Sequence, residues 1–93
     1  MIDSLRAMAS FARVAESGAF RGAAKQLGVS ASVVSHQVST LEAQLGVPLF
    51  YRSTRKVSLT EQGKLLLNPA TEMIEAAQAG LAQFVENADA PVG

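Results

Sequence analysis

The sequence predicts a mainly α fold: three short helices, a two-stranded β hairpin and a long C-terminal helix. Three observations lead there. Apolar residues recur at three- and four-residue spacing in four separate stretches. Gly18, Gly28, Gly46 and Pro48 punctuate the first three of them. Two short apolar runs then flank the polar turn Ser53-Thr54-Arg55.

The first helix is expected over 3–16. Leu5, Met8, Phe11, Ala12 and Ala15 form its apolar face, Asp3 or Ser4 caps it, and Ser17-Gly18 ends it. The second spans 20–27, with Phe20, Ala23, Ala24 and Leu27 inward, and Gly28 breaks it. Ser30 is a good N-cap for a third helix running from about Ala31 to Leu45. Val34, Val38, Leu41 and Leu45 give that helix a buried stripe, and Gly46 and Pro48 stop it. Residues 49–52 and 56–59 are the two strands of the hairpin. The last helix starts near Glu61, with Thr60 or Ser58 as cap, and reaches the high 80s. Gly63, Leu67, Ala70, Ile74, Ala77, Leu81 and Phe84 form a heptad seam along it. Pro69 lies inside the seam, so a kink is expected there.

Composition narrows the function. Ninety-three residues allow one domain at most. With 48% hydrophobic and 17% charged residues the chain is not a disordered one, and it carries more apolar surface than one small core hides. The absence of Cys excludes disulfides, thiolate metal sites and a cysteine nucleophile, and a single His cannot build a zinc site. No apolar run approaches the ~18 residues of a membrane span, and the N-terminus lacks an apolar signal core. The expectation is a soluble, cytoplasmic protein with no membrane association.

The zero net charge conceals an asymmetry. All eight Lys and Arg residues lie within 1–64, against four acidic ones; residues 65–93 hold four acidic side chains and no Lys or Arg. Arg52, Arg55 and Lys56 fall within five residues. An anion-binding front and a tail with a different task fit this segregation, and ordinary solvated charge is the plainer alternative.

Residues 20–39 fit a helix-turn-helix. Ala24 is small where two helices would cross, Gly28 supplies the turn, and Val34 plugs the core from the second helix. An αα-hairpin in a helical bundle is the competing reading. The third helix favours the first, because its outward residues Ala31, Ser32, Ser35, His36, Ser39 and Thr40 are small and almost uncharged. A solvated helix would usually carry Lys and Glu there, whereas small hydroxyl residues and a His suit a groove roughly 12 Å wide lined by base edges. The hairpin would then be a wing, its tip bearing Arg55 and Lys56 and its base Arg52, with arginine suited to a narrow minor groove. The fold class is thus a winged helix-turn-helix followed by a long linker helix.

With these residues in place, the chain resembles the N-terminal DNA-binding domain of LysR-type transcriptional regulators. The matching stretches are VAESGAF (14–20), AAKQLGVS (23–30), VSHQVSTLEAQLGVPLF (34–50), Arg52 and LTEQGKLLL (59–67). The resemblance implies a winged DNA-binding domain over 1–59, a linker dimerisation helix over 60–89 and the start of a hinge at 90–93. It also implies a C-terminal domain, absent here, that binds a small-molecule effector, so no cofactor is expected within these residues. Carried over by position, base reading falls on Ala31, Ser32, Ser35 and His36. Phosphate contacts fall on Arg21, Ser30, Gln37, Ser39 and Arg52, with Arg55 and Lys56 at the minor groove. The homodimer interface falls on Leu67, Ala70, Ile74, Ala77, Leu81 and Phe84, and the DNA site is an interrupted palindrome.

Departures from the family pattern cluster on the reading surface. Many members carry Gln and Pro where Ala31 and Ser32 stand, and Arg where His36 stands. Ala31 offers apolar contact alone, such as with a thymine methyl. Ala19 replaces a frequent Ser that caps the second helix, and Arg21 a frequent small hydroxyl residue. Two other functions compete with DNA binding. A winged helix used for protein–protein contact would have a more apolar third helix and no basic wing. An enzyme would need a Ser–His–carboxylate spacing, a metal cluster or a phosphate loop, and Glu42 reads better as a surface charge or an internal salt-bridge partner.

Overall fold

The computed structural model describes the backbone of residues 2–52 and 56–89 and the side chains of 4–52 and 56–85. Its elements are α1 (Ile2–Ser17), α2 (Phe20–Leu27), α3 (Ala31–Leu45), β1 (Phe50–Arg52), β2 (Val57–Leu59) and α4 (Glu61–Asp89). Helices α1, α2 and α3 pack mutually, and α4 lies against α1 and β2. The strands pair antiparallel, with Phe50 opposite Leu59, Tyr51 opposite Ser58 and Arg52 opposite Val57. This is the winged helix-turn-helix with a long fourth helix that the sequence predicts.

The core is small and contiguous: Phe11, Val14, Ala23, Ala24, Val34, Val38, Leu41, Leu49 and Phe50 meet in it. Val34 and Ala24 occupy the expected crossing of α2 and α3. Gly28 closes α2 at φ +70°, a left-handed conformation that a Cβ strains, and its N–H donates to the Ala24 carbonyl. Phe50 carries β1 into the core, its ring 5.2 Å from that of Phe11 and 6.2 Å from that of Phe20. Such aromatic pairs each contribute about 0.5–1.5 kcal/mol beyond area burial.

Three expectations are corrected. Helix α1 begins at Ile2, so the expected cap positions Asp3 and Ser4 fall inside it; the Ser4 hydroxyl donates to Gln44 Oε1 of α3 at 3.2 Å. Leu5 and Leu45, placed on buried faces, are exposed; Leu45 borders an open depression lined also by Leu49, Leu65 and Leu66 instead of entering the core. The third correction concerns the seam. Gly63 and Ala70 are buried within the chain, and Leu66, Leu67 and Ile74 pack partly buried on the same core. The reason is geometric: α4 lays its first half across α1, so that part of the stripe has an intrachain partner. Ala77, Leu81 and Phe84 lie past this contact and are exposed.

The join between the wing and α4 is tight. The Thr60 hydroxyl donates to the Pro48 carbonyl at 2.7 Å and accepts from the Gly63 N–H at 3.0 Å, capping α4 from a buried position. The Thr60 N–H donates to the Leu49 carbonyl at 3.0 Å. A Cβ on Gly63 would collide with that same carbonyl oxygen and lie 2.9 Å from Leu59 Cδ2. The end of the wing and the first turn of α4 are thereby in close contact.

Candidate nucleic-acid interface

Ser30 begins the interface as the N-cap of α3: its side-chain oxygen accepts from the Val33 N–H at 3.3 Å and shares a hydrogen bond of 3.1 Å with the Ser32 hydroxyl. This leaves the N-terminal turn of α3 open to solvent, with Ser32, Val33, His36, Ser39 and Thr40 exposed and Ser35 half-buried. No helix among the described residues covers that face. Ala31 is different, since it packs partly buried on the core. Val33 takes the outward apolar place instead, 42% exposed between Ser32 and His36, and Val29 is equally exposed beside it. Sequence periodicity had placed neither on the reading face.

Gln37 is held from behind. It is half-buried, and its Oε1 accepts from the buried Ser10 hydroxyl of α1. This bond orients α3 on α1, and it uses the carboxamide oxygen while leaving the amide N–H donors outward.

Glu42 organises the wing. Its Oε2 accepts from the Leu49 N–H at 2.7 Å and the Phe50 N–H at 3.4 Å, and its Oε1 accepts from Arg52 at 3.0 Å. One carboxylate thereby ties the end of α3 to the start of β1 and satisfies the N–H of Phe50 in the strand and of Leu49 just before it. Strand alternation puts Phe50 and Arg52 on one face. Arg52 accordingly reaches back over the Phe20 ring, its guanidinium carbon 5.2 Å from the centroid. Glu42 thus falls on the salt-bridge side of the two sequence readings. Arg52 has intrachain partners on both sides.

The remaining cations divide clearly. Arg13 pairs with Glu16 at 2.8 Å and Lys64 with Glu61 at 3.5 Å. Arg6, Arg21 and Lys25 are exposed and have no hydrogen-bond or ion-pair partner among the described residues. Arg21 and Lys25 stand one turn apart on α2, and Arg6 stands on α1. Sequence reasoning singled out Arg21 and passed over the other two, although the four-residue spacing of Arg21 and Lys25 is a readable signal. Lys56 is exposed at the tip end of the wing, just before β2, and Arg55 lies outside the described residues. Helix α2 has no side-chain cap at Ala19; the Ser17 hydroxyl donates to the Ala19 carbonyl at 2.8 Å and steadies that turn.

A winged helix-turn-helix with an open, weakly charged third helix and unpaired cations beside it defines a class of nucleic-acid-binding modules. Residues 5–64 match the family described as bacterial regulatory helix-turn-helix proteins of the lysR family. The chain belongs to that family. It is 48% identical over 84 residues to the HTH-type transcriptional regulator y4mQ of Sinorhizobium fredii, covering 90% of this chain and 28% of that protein. It is 38% identical over 92 residues to the HTH-type transcriptional activator AaeR of Escherichia coli, covering 99% of this chain and 30% of that one. The chain therefore spans less than a third of the length of these curated relatives, which are regulators and not enzymes. Among solved structures it is similar to the CbnR DBD in a DNA complex, with TM-score 0.75, 37% identity, and coverage of 90% of this chain and 97% of that one. No helix among the described residues is long and apolar enough to cross a membrane.

Proposed function

We propose that this chain is the DNA-binding domain of a LysR-type bacterial transcription regulator acting in the cytoplasm. It binds double-stranded DNA sequence-specifically, with α3 in the major groove and the wing at the minor groove. It has no catalytic role. The observation that carries this reading is the open face of α3, small and polar along Ser32, Ser35, His36 and Ser39, with unpartnered cations beside it. The similarity to a domain solved on DNA supports it.

Ser32, Ser35 and His36 read base edges, and Val33 supplies the apolar contact that the sequence assigned to Ala31. Arg21, Ser39, the outward amide of Gln37, Arg55 and Lys56 meet the backbone and the minor groove. Ser30 contributes by fixing the first turn of α3. Arg52, balanced by Glu42, chiefly holds the wing at its angle. Two copies joined through the uncovered part of α4 place two such units on an interrupted palindrome. A small-molecule effector acts on a C-terminal domain of the whole protein.

The test is the salt dependence of binding by fluorescence anisotropy. Arg21, Arg55 and Lys56 on two subunits give a log–log slope of roughly −5, at ~0.9 per neutralised phosphate. A slope near zero overturns DNA binding and favours use of the wing for protein contact.

A further inference from the structure

Arg6 is, with Lys25 of α2, one of two cations unpaired among the described residues that the contacts proposed above leave unassigned. It sits on α1, two turns from Arg13, yet differs from it in having no acidic partner among the described residues. Its surroundings are specific. Arg6 and Ala7 of α1 face His36, Gln37 and Thr40 of α3 across a cleft of about 250 Å³. Arg6 and Gln37 also border a second, smaller depression of about 180 Å³, with Ser10 and Val29. The buried Ser10 hydroxyl bonds to Gln37 Oε1, so the wall between the two depressions is fixed and the outward groups are donors. The cleft therefore collects a guanidinium, an imidazole, an amide and a hydroxyl, with no carboxylate among its lining residues.

We infer that Arg6 is a further DNA-backbone contact, holding a phosphodiester oxyanion at the α1 side of the recognition helix. A helix lying in a groove roughly 12 Å wide has a phosphate strand on each side of it. Arg21 and the wing cations serve positions on α2 and β1–β2, and neither lies on the α1 flank. Arg6 fills that flank, beside the same His36 that reads bases on the other face of its turn. A guanidinium suits the task because its planar fork matches the two oxygens of a phosphate. This rests on the DNA-binding reading above, and it adds one contact per subunit, moving the wild-type slope to roughly −7 at ~0.9 per phosphate.

The experiment compares Arg6→Gln, Arg6→Lys and, as a charge control, Lys64→Gln, whose ammonium pairs with Glu61 on α4. Each is titrated on the selected site and on random duplex DNA over a range of salt, and circular dichroism confirms the fold. Arg6→Gln is expected to weaken binding to both duplexes by the same factor and to make the slope shallower by about 2 per dimer. Arg6→Lys retains the slope, and Lys64→Gln matches the wild type. A wild-type slope that stays steep in Arg6→Gln overturns this inference alone. A wild type without salt-dependent binding overturns the DNA reading itself. A loss confined to the selected site makes Arg6 a base-reading residue and overturns the phosphate assignment.

Discussion

At the residue scale, function depends on which polar groups the fold uses up and which it leaves open. Glu42 is used up: the Leu49 and Phe50 N–H groups and one guanidinium converge on it. Hydrogen bonds to an ionised group contribute about 1.5–3 kcal/mol, and the half-exposed Arg52 pair adds little because solvent screens it. Glu42→Ala is expected to destabilise the fold by about 2 kcal/mol, a fall in melting temperature on the order of 10 °C for a domain this size. Thermal denaturation checks this, and Glu42→Gln, which keeps one acceptor for the strand donors, should recover part of the loss. His36 and Val33 are open. His36→Ala is expected to cost about 1–3 kcal/mol on the selected site and little on random DNA. Equal losses on both would move His36 to the backbone contacts. Val33 makes a sharper case, because a thymine methyl has a clean deletion. Replacing thymine by deoxyuridine in the half-site should weaken wild-type binding at one position, and Val33→Ser should abolish that difference.

At the element scale, legibility follows local punctuation. Helices α2 and α3 have the bounds that Phe20, Gly28, Ser30 and Gly46 announce, since breaks and caps are written in adjacent residues. The strands begin one residue later than the apolar runs, at Phe50 and Val57, because pairing register and not hydropathy sets their ends. Tertiary contacts were less legible. Ala31 and Val33 differ by two positions, and a shallow rotation of α3 on α1 decides which of them faces out. Arg6 was unreadable as a site residue because its neighbours come from α3, about thirty positions away. Gly63 shows the same limit in reverse: its place in a seven-residue repeat suggested a helix–helix seam, yet the Leu49 carbonyl abuts it. Gly63→Ala is expected to destabilise by about 1–3 kcal/mol, as overpacking does, although alanine is the better helix former. A variant at least as stable as the wild type in urea denaturation would show that the contact relaxes freely.

At the scale of the whole molecule, α4 carries two faces' worth of work on one stripe. Its 29 residues extend about 43 Å at ~1.5 Å each, more than the small core can cover. Leu66, Leu67, Ala70 and Ile74 stabilise the domain from which the helix emerges. Beyond them Leu81 is 67% exposed, Phe84 74% and Val85 64%, with the small Ala77 between the halves. Burying this remainder against a second copy stabilises the pair by ~25 cal/mol per Å² of apolar area, and a two-fold makes the contact isologous. The split predicts opposite behaviour along one helix. Ile74→Asp places a charge against the core, so the isolated chain should melt at lower temperature. Leu81→Asp and Phe84→Asp should leave the melting of the dilute monomer unchanged, abolish the dimer in sedimentation, and weaken binding to the full palindrome. Their binding to a single half-site should match that of the wild type. A wild-type monomer that grips the full palindrome tightly and without cooperativity would mean that the exposed end of α4 is not a self-association surface.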